Sequence, residues 1–499
     1  MGRHLTKFRF QGALGKNCRI EIAGANDIEV RGITFEIVNT PTDAGYNALE
    51  TDMILRVQGG SNVWVSECDF LNSFGVPVNM RHLDGGGIRY CRAIGTYKDS
   101  FHITGTSRNI LRAGNVVENG GDDAFPIVGY ATGTGAGQPE GIVDIGNKVY
   151  GLKHARAFPI VGAKRVRNVG SIVDGLIPAK YGRAANEVVR CGVYIASESS
   201  FDTYGNEDIL IDGISITNCG YASLYPIMIT GRAGKVTRDI RIVNPYIARS
   251  ATTAIVTQGA STGLVENLVI ENPVIRDTTD PNGIVGTAGQ GSGRGMLFDY
   301  TKDLMVCGPG LVVDETGEDG IVVNATNVGR VAVARDGGRI SNVNKRYTIE
   351  GTPNAGRRPI LIAANSNADS ISIATNGDLE IVQDTATRNI DRLVENTNLG
   401  KTRWGRIYGR GVAKRVNNGT TATNITPTGS PFKWQNPNPY PVMVYMDGGS
   451  VSLVEKSPND VNYGNVGHTV GQFYVEPGQW IRITYSSAPA TLAWFPQTV

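Results

Sequence analysis

The chain has 499 residues, 64 of them glycine, with charged residues at 19% and aromatics at 7%. So many glycines and so few charges describe many tight turns and exclude a chain built from long amphipathic helices. Lys plus Arg at 48 against Asp plus Glu at 46 leaves a formal charge of +2, which gives no footprint for nucleic acid or for insertion into an anionic membrane. Six cysteines (18, 68, 91, 191, 219 and 307) lack the short paired spacings of a zinc site or a disulfide framework and read as small buried residues. No cofactor is expected and no metal ligand is assigned; a metal requirement stays open, since carboxylate pairs could hold calcium but no ligand loop is recognisable.

The start, Met1-Gly2-Arg3-His4, lacks the apolar core of a signal peptide, and strand-like repeats set in by about residue 18. The reading is a chain trimmed from a longer protein, soluble or released by lysis. From there a phrase recurs. Ala124-Phe125-Pro126-Ile127-Val128-Gly129 returns letter for letter as Ala157-Phe158-Pro159-Ile160-Val161-Gly162, 33 positions later. Softer copies begin at Leu55, Val76, Phe101, Val193 and Ile227, and counted to Phe125 and Phe158 of the phrase the steps run 21, 25, 24, 33, 35 and 34 residues. Strand-sized units at such a period are the mark of a stacked solenoid.

A second column supports this reading: Gly32, Cys68, Cys91, Gly114, Gly146, Gly170, Gly213, Asn244, Asn272 and Gly308 each precede a β-rich pair, as a recurrent left-handed turn requires. Adjoining segments such as Asp208-Ile209-Leu210-Ile211 alternate apolar and polar at period two. The expected fold is all-β: a right-handed parallel β-helix of about ten rungs over 1–345, a connecting or trimerisation region over 346–415, and a small β-sandwich over 416–499. Within the middle region, Asp384 is placed to cap a short helix carrying Ile390, Leu393 and Val394, and Lys401, Arg403, Arg406, Arg410, Lys414 and Arg415 form a basic face. Strands of the sandwich are expected at Val442-Met443-Val444-Tyr445, Ser450 to Val454, Gly471 to Val475 and Trp480 to Tyr485.

Aligning the phrase puts Asp99, Asp123 and Arg156 in one column, two residues ahead of Phe101, Phe125 and Phe158, with Asp122 alongside. Rungs lie about 4.8 Å apart, so the acids face one another and cannot all ionise, which yields an acid beside a base. Glycosidic cleavage needs such a pair, and spacings for inversion and for retention are both open to it. Gly120-Gly121-Asp122-Asp123 also serves as an ordinary bend. His102 projects to the face of the acids, and His154 stands two before Arg156. In the phrase itself Phe and Ile point inward, leaving Pro126, Val128, Pro159 and Val161 as an apolar outer wall, covered by a loop or a neighbouring subunit. Long insertions beside it bring Tyr130, Tyr194, Glu198 and Tyr204 forward as substrate-binding candidates, with His102, His154 and Arg156.

The ladder, including Asn62-Val63-Trp64-Val65-Ser66-Glu67-Cys68-Asp69-Phe70, resembles the pectate-lyase-like β-helix superfamily over about 18–340. The order of helix, seam and terminal sandwich, with Tyr485-Ser486-Ser487-Ala488-Pro489 and Trp494 near the end, resembles bacteriophage tailspike depolymerases. That resemblance implies a homotrimer on the virion tail, joined to the tail or baseplate through an N-terminal region absent here. It would bind and cut a bacterial capsule, exopolysaccharide or O-antigen. Asp99 and Asp122-Asp123 match the acidic part of the polygalacturonase pattern. Arg156 stands where a His is expected there, and Tyr194-Ile195-Ala196 replaces an Arg-Ile-Lys. Endo-hydrolysis by Asp99, Asp122 and Asp123 is the leading reading, with a polysaccharide lyase and a non-catalytic binding spike as alternatives.

Overall fold

A computed structural model describes residues 6–10, 17–38, 52–73, 75–133, 135–153, 155–176, 189–221, 223–279, 293–324, 326–343, 358–363, 367–382, 394–396, 402–404, 407–410, 423–437, 442–467, 469–476 and 478–496. Strands are taken up in strict rotation by three parallel sheets of 14, 13 and 13 members, so each three consecutive strands make one coil. This is a right-handed parallel β-helix. Each phrase unit is a strand of the second sheet, and the register is the one the repeat demands: Ile103 pairs with Ile127, Ile127 with Ile160, Ile160 with Ile195 and Ile195 with Ile229.

Period-two alternation turns one residue of each pair into the lumen. Phe35, Phe70, Phe101, Phe125 and Phe158 stack through neighbouring coils, with centroids 5.1 Å apart for Phe35–Phe70 and for Phe125–Phe158, and 5.6 Å for Phe101–Phe125. The inward Phe and Ile of the phrase are therefore core. One lumen feature has no counterpart in the repeat. Arg112, fully buried, grips Asp144 of the next coil through Nε and Nη2, both at 2.7 Å, and donates from Nη1 to the Phe101 carbonyl at 2.7 Å and the Pro126 carbonyl at 3.2 Å.

The turn column stands, with a shift at two coils. Gly32, Gly114, Gly146, Gly170, Gly213, Asn244, Asn272 and Gly308 have positive φ, but beside the cysteines the left-handed residues are Glu67 (φ 52°) and Tyr90 (φ 54°). Cys68 and Cys91 sit one position later, buried, because a small apolar side chain fits the lumen corner there and the turn itself falls to the preceding residue. All six cysteines are thiols.

The coils run on past residue 345. Ile360–Ile362, Asn367–Ile373 and Leu379–Val382 pair in parallel with Ile321–Val323, Val328–Val333 and Gly338–Ser341, and Ile407–Arg410 adds the last strand of the first sheet. Each sheet thus holds more strands than the phrase alone predicts. Val394, expected on a short helix, lies in the strand Val394–Asn396 paired with Ile360–Ile362. A short apolar run fits either period, and the open edge of the second sheet decides for strand. The rest of that helix, most of the basic face and the 346–357 stretch of the connecting region lie outside the described residues.

Beyond residue 423 two four-stranded antiparallel sheets follow, holding the four expected segments within Val442–Asp447, Ser450–Ser457, Gly471–Val475 and Trp480–Ser487. They enclose a separate core of Val442, Val444, Met446, Val454, Phe473, Val475, Ile481, Ile483 and Leu492. Among the described residues no helix is long and apolar enough to cross a membrane.

Candidate active site on the outer wall

The acids lie at the corner where the first sheet turns into the second. Asp99 precedes the strand Phe101–Thr104, Asp122 and Asp123 precede Ile127–Val128, and Arg156 opens Arg156–Val161. Backbone bonds from Ser100 N to Asp123 O (2.8 Å) and from Ala124 N to Arg156 O (3.0 Å) set the column that the phrase predicts. Local sequence permits the bend: a Cβ on Gly121 would meet the Tyr97 carbonyl oxygen at 2.6 Å, so the coils close here only over glycine. Bend and acid cluster are one feature.

One carboxylate oxygen from each of Asp99, Asp122 and Asp123 lies within 4.8 Å of the others. That is shorter than the roughly 6.5–9.5 Å that leaves room for a water between two carboxyl groups. The three are not equivalent. Asp123, 3% exposed, accepts from Arg156 Nε at 2.9 Å, Arg156 Nη2 at 2.6 Å and the Arg156 backbone N–H at 3.0 Å. Burial pushes its carboxyl up and Arg156 pulls it back; the fork is that of guanidinium on carboxylate. Asp122 lies outside that fork and accepts the Asp123 N–H at 3.1 Å. Burial first, then the charges of Asp99 and Asp123, raise it to about 8 against the opposing pull of Arg156 and Lys98. Asp99 Oδ2 lies 2.8 Å from His102 Nδ1, and the buried His102 Nε2 has no hydrogen-bond partner among the described residues.

Arg156 is committed on three sides. Besides Asp123 it bonds Glu198 through Nη1 and lies over the Tyr194 ring at 4.7 Å. Tyr130, half-buried, feels Asp99, Glu198 and Asp123, and its phenol is pushed up chiefly by burial. Six of the seven sequence candidates for binding are described, and His102, Tyr130, Arg156, Tyr194 and Glu198 do gather around the acids. Tyr204 does not: its ring lies under Lys235 Nζ at 5.7 Å, and its backbone N–H serves the Gly129 carbonyl. His154 lies outside the described residues.

The apolar wall is covered by the chain itself. Pro126, Val128, Pro159 and Val161 are all buried. Two insertions clasp beside them: Ala131 N–H donates to Asp202 O at 2.8 Å, Tyr204 N–H to Gly129 O at 3.0 Å, and Gln138 Nε2 to Gly205 O at 2.9 Å. Sequence reasoning missed Lys98, although it occupies the place in its coil that Asp122 holds in the next. Extending the column by one residue finds it.

The same column carries charge again further along. Register places Arg294, Asp319 and Arg358 in line with Asp99, Asp123 and Arg156. There Arg294 meets Glu318 at 2.8 Å, and the Arg358 backbone N–H donates to Asp319 at 2.7 Å. Two acids between two arginines are balanced in charge. At Asp99, Asp122 and Asp123 the acids are in excess, which makes this cluster the candidate site.

The chain is thus a right-handed parallel β-helix protein with a carboxylate cluster on its outer wall. It is similar to solved bacteriophage tailspikes. A variant of the tailspike of E. coli bacteriophage HK620 in complex with a pentasaccharide shares 9% identity at a TM-score of 0.42, covering 95% of this chain and 87% of that one. Another HK620 variant, in complex with a hexasaccharide, shares 8% at 0.42 over 95% and 86%. The Dettilon tailspike shares 10% at 0.32 over 91% and 89%. No family model and no curated protein matches the chain.

Proposed function

We propose that this chain is the receptor-binding spike of a phage tail and cleaves a bacterial surface polysaccharide by endo-glycosidic hydrolysis. The observation that carries the proposal is the clustering of Asp122 with Asp99 and Asp123, one carboxylate oxygen of each within 4.8 Å of the others, which together with burial raises Asp122 to about 8. Asp122 acts as the general acid that protonates the glycosidic oxygen as the bond to the anomeric carbon breaks. Asp99, whose Oδ2 lies 2.8 Å from His102 Nδ1, is the carboxylate that meets the anomeric carbon as that bond breaks, at a spacing nearer the roughly 5–5.5 Å of retaining pairs, and water then releases the sugar from it. Asp123, held by Arg156, is a neighbouring carboxyl whose charge adds to the forces that raise Asp122.

Hydrolysis is favoured over elimination by the state of Arg156. A lyase needs a cation to neutralise the uronate before the C5 proton leaves, and Arg156 already serves Asp123 and Glu198. The order of coil stack and terminal sandwich supports a spike, and a homotrimer attached through an upstream region accords with it.

The test incubates wild type and Asp122→Asn with purified capsules and O-antigens, then reads chain length and ultraviolet absorbance. Hydrolysis shortens the chain without an unsaturated product, and Asp122→Asn stops it. An unsaturated product, or a fully active Asp122→Asn, overturns the reading.

A further inference from the structure

Beside the acids the chain displays an aromatic ring that the proposed chemistry leaves unused. Phe201 is 58% exposed at the tip of the segment that follows the strand Cys191–Ala196. Its ring meets Tyr130 edge-on, with centroids 6.3 Å apart and planes at 75°. Tyr130 in turn is the residue whose phenol feels Asp99, Glu198 and Asp123. A line therefore runs from the acids across one tyrosine to an open phenylalanine face.

That ring is held in place by its own loop. Glu198 N–H donates to Thr203 Oγ1 at 2.7 Å, Thr203 N–H to Glu198 O at 3.1 Å and Asp202 N–H to Ser199 O at 3.2 Å, closing a tight turn with Asp202 at φ 42°. Arg232 fastens the base by donating to the Glu198 carbonyl at 2.9 Å, and Arg232 and Lys235 each reach Asp202 at 3.7 Å. The Tyr130 side is tied to the same turn through Ala131 N–H and Asp202 O. Thr203 is fully buried below. A fixed aromatic face offers contact area with little ordering left to lose on binding.

We propose that Phe201, backed by Tyr130, is a stacking platform for a pyranose ring next to the scissile bond, recognising the apolar C–H face of a sugar and thereby selecting among glycans. This rests on the polysaccharide-cleaving function above. An aromatic body of this size supplies a large apolar contact without any charge, so the platform selects for ring shape, while the acids act on the bond.

The experiment uses full-length wild type, Phe201→Ala and Phe201→Trp, with a set of purified capsular polysaccharides and O-antigens as probes. On a polysaccharide that the wild type shortens, Phe201→Ala raises KM about tenfold with kcat nearly unchanged, the mark of lost ground-state binding, and Phe201→Trp restores KM. The added tryptophan also changes its fluorescence when that polysaccharide binds. Cleavage with an unchanged KM in Phe201→Ala and no fluorescence change overturns the platform alone. A fluorescence change with no cleavage by the wild type overturns the hydrolase and keeps the platform. Neither signal with any probe overturns both.

Discussion

Arg156 reaches back one coil to Asp123 with two side-chain nitrogens and its own backbone N–H, all within 3.0 Å. An arginine at the first residue of one strand thereby closes over an acid at the same place of the preceding coil. Asp123 is thereby paired, which leaves Asp122 and Asp99 for the proposed chemistry.

Asp122 supplies a pH signature. Its carboxyl holds a proton to about pH 8 in the fold, whereas an unfolded Asp loses it near pH 4. Between those values unfolding releases a proton, so stability falls as pH rises through the window and levels off above about 8. The fall in kcat/KM on the alkaline side follows the same group. Titrating kcat/KM and thermal stability between pH 5 and 9 is expected to show both slopes in wild type, while Asp122→Asn lacks the stability slope and the activity.

Arg156→Met leaves the Asp123 carboxylate buried without its partner. Breaking such a pair costs about 3–5 kcal/mol, read as faster unfolding in denaturant. Arg156 also pulls Asp122 downward, so any remaining activity has its alkaline limb moved to higher pH. A limb that moves to lower pH refutes the arrangement.

In the lumen, Arg112 and Asp144 make a fully enclosed ion pair. Arg112→Met alone strands Asp144 and costs about 3–5 kcal/mol, but Arg112→Met with Asp144→Leu is expected to recover most of that loss, because the desolvation of both ions is avoided. A double-mutant cycle on unfolding rates measures the recovery. Additive losses would show that the carbonyl bonds to Phe101 and Pro126, not the ion pair, dominate.

Phe125 lies between Phe101 and Phe158 at 5.6 and 5.1 Å. Phe125→Ala opens a cavity directly behind the acids and is expected to cost about 3–5 kcal/mol. Phe125→Leu, which keeps much of the volume, is expected to cost less than half of that in the same unfolding assay.

The phrase made the second sheet legible because Phe and Ile at alternate places are dictated by a lumen, and a lumen repeats. Asp99, Asp123 and Arg156 could be aligned for the same reason. What stayed hidden was contact across insertions: nothing in the local pattern around Tyr204 distinguishes a ring facing Lys235 from one facing the acids, and the burial of Pro126 and Val161 depends on loops folding back from other coils. Ile360-Leu361-Ile362 and Ser370 to Ile373 read as strands but not as further coils, because the turn-rich Thr352-Pro353-Asn354-Ala355-Gly356 interrupts the repeat before them. Arg112 was invisible since a charged residue at an inward place breaks the very rule used to find inward places.

The recurrent left-handed turns have a further consequence. Every coil returns its second-sheet strand to the same azimuth about 4.8 Å further along, so the outer wall is graduated like a ruler. Asp99, Asp123 and Arg156 are successive marks on it, as are Arg294, Asp319 and Arg358 beyond. Changing one residue rewrites one mark and leaves the scale intact, so such a wall can be re-lettered position by position while its spacing stays constant.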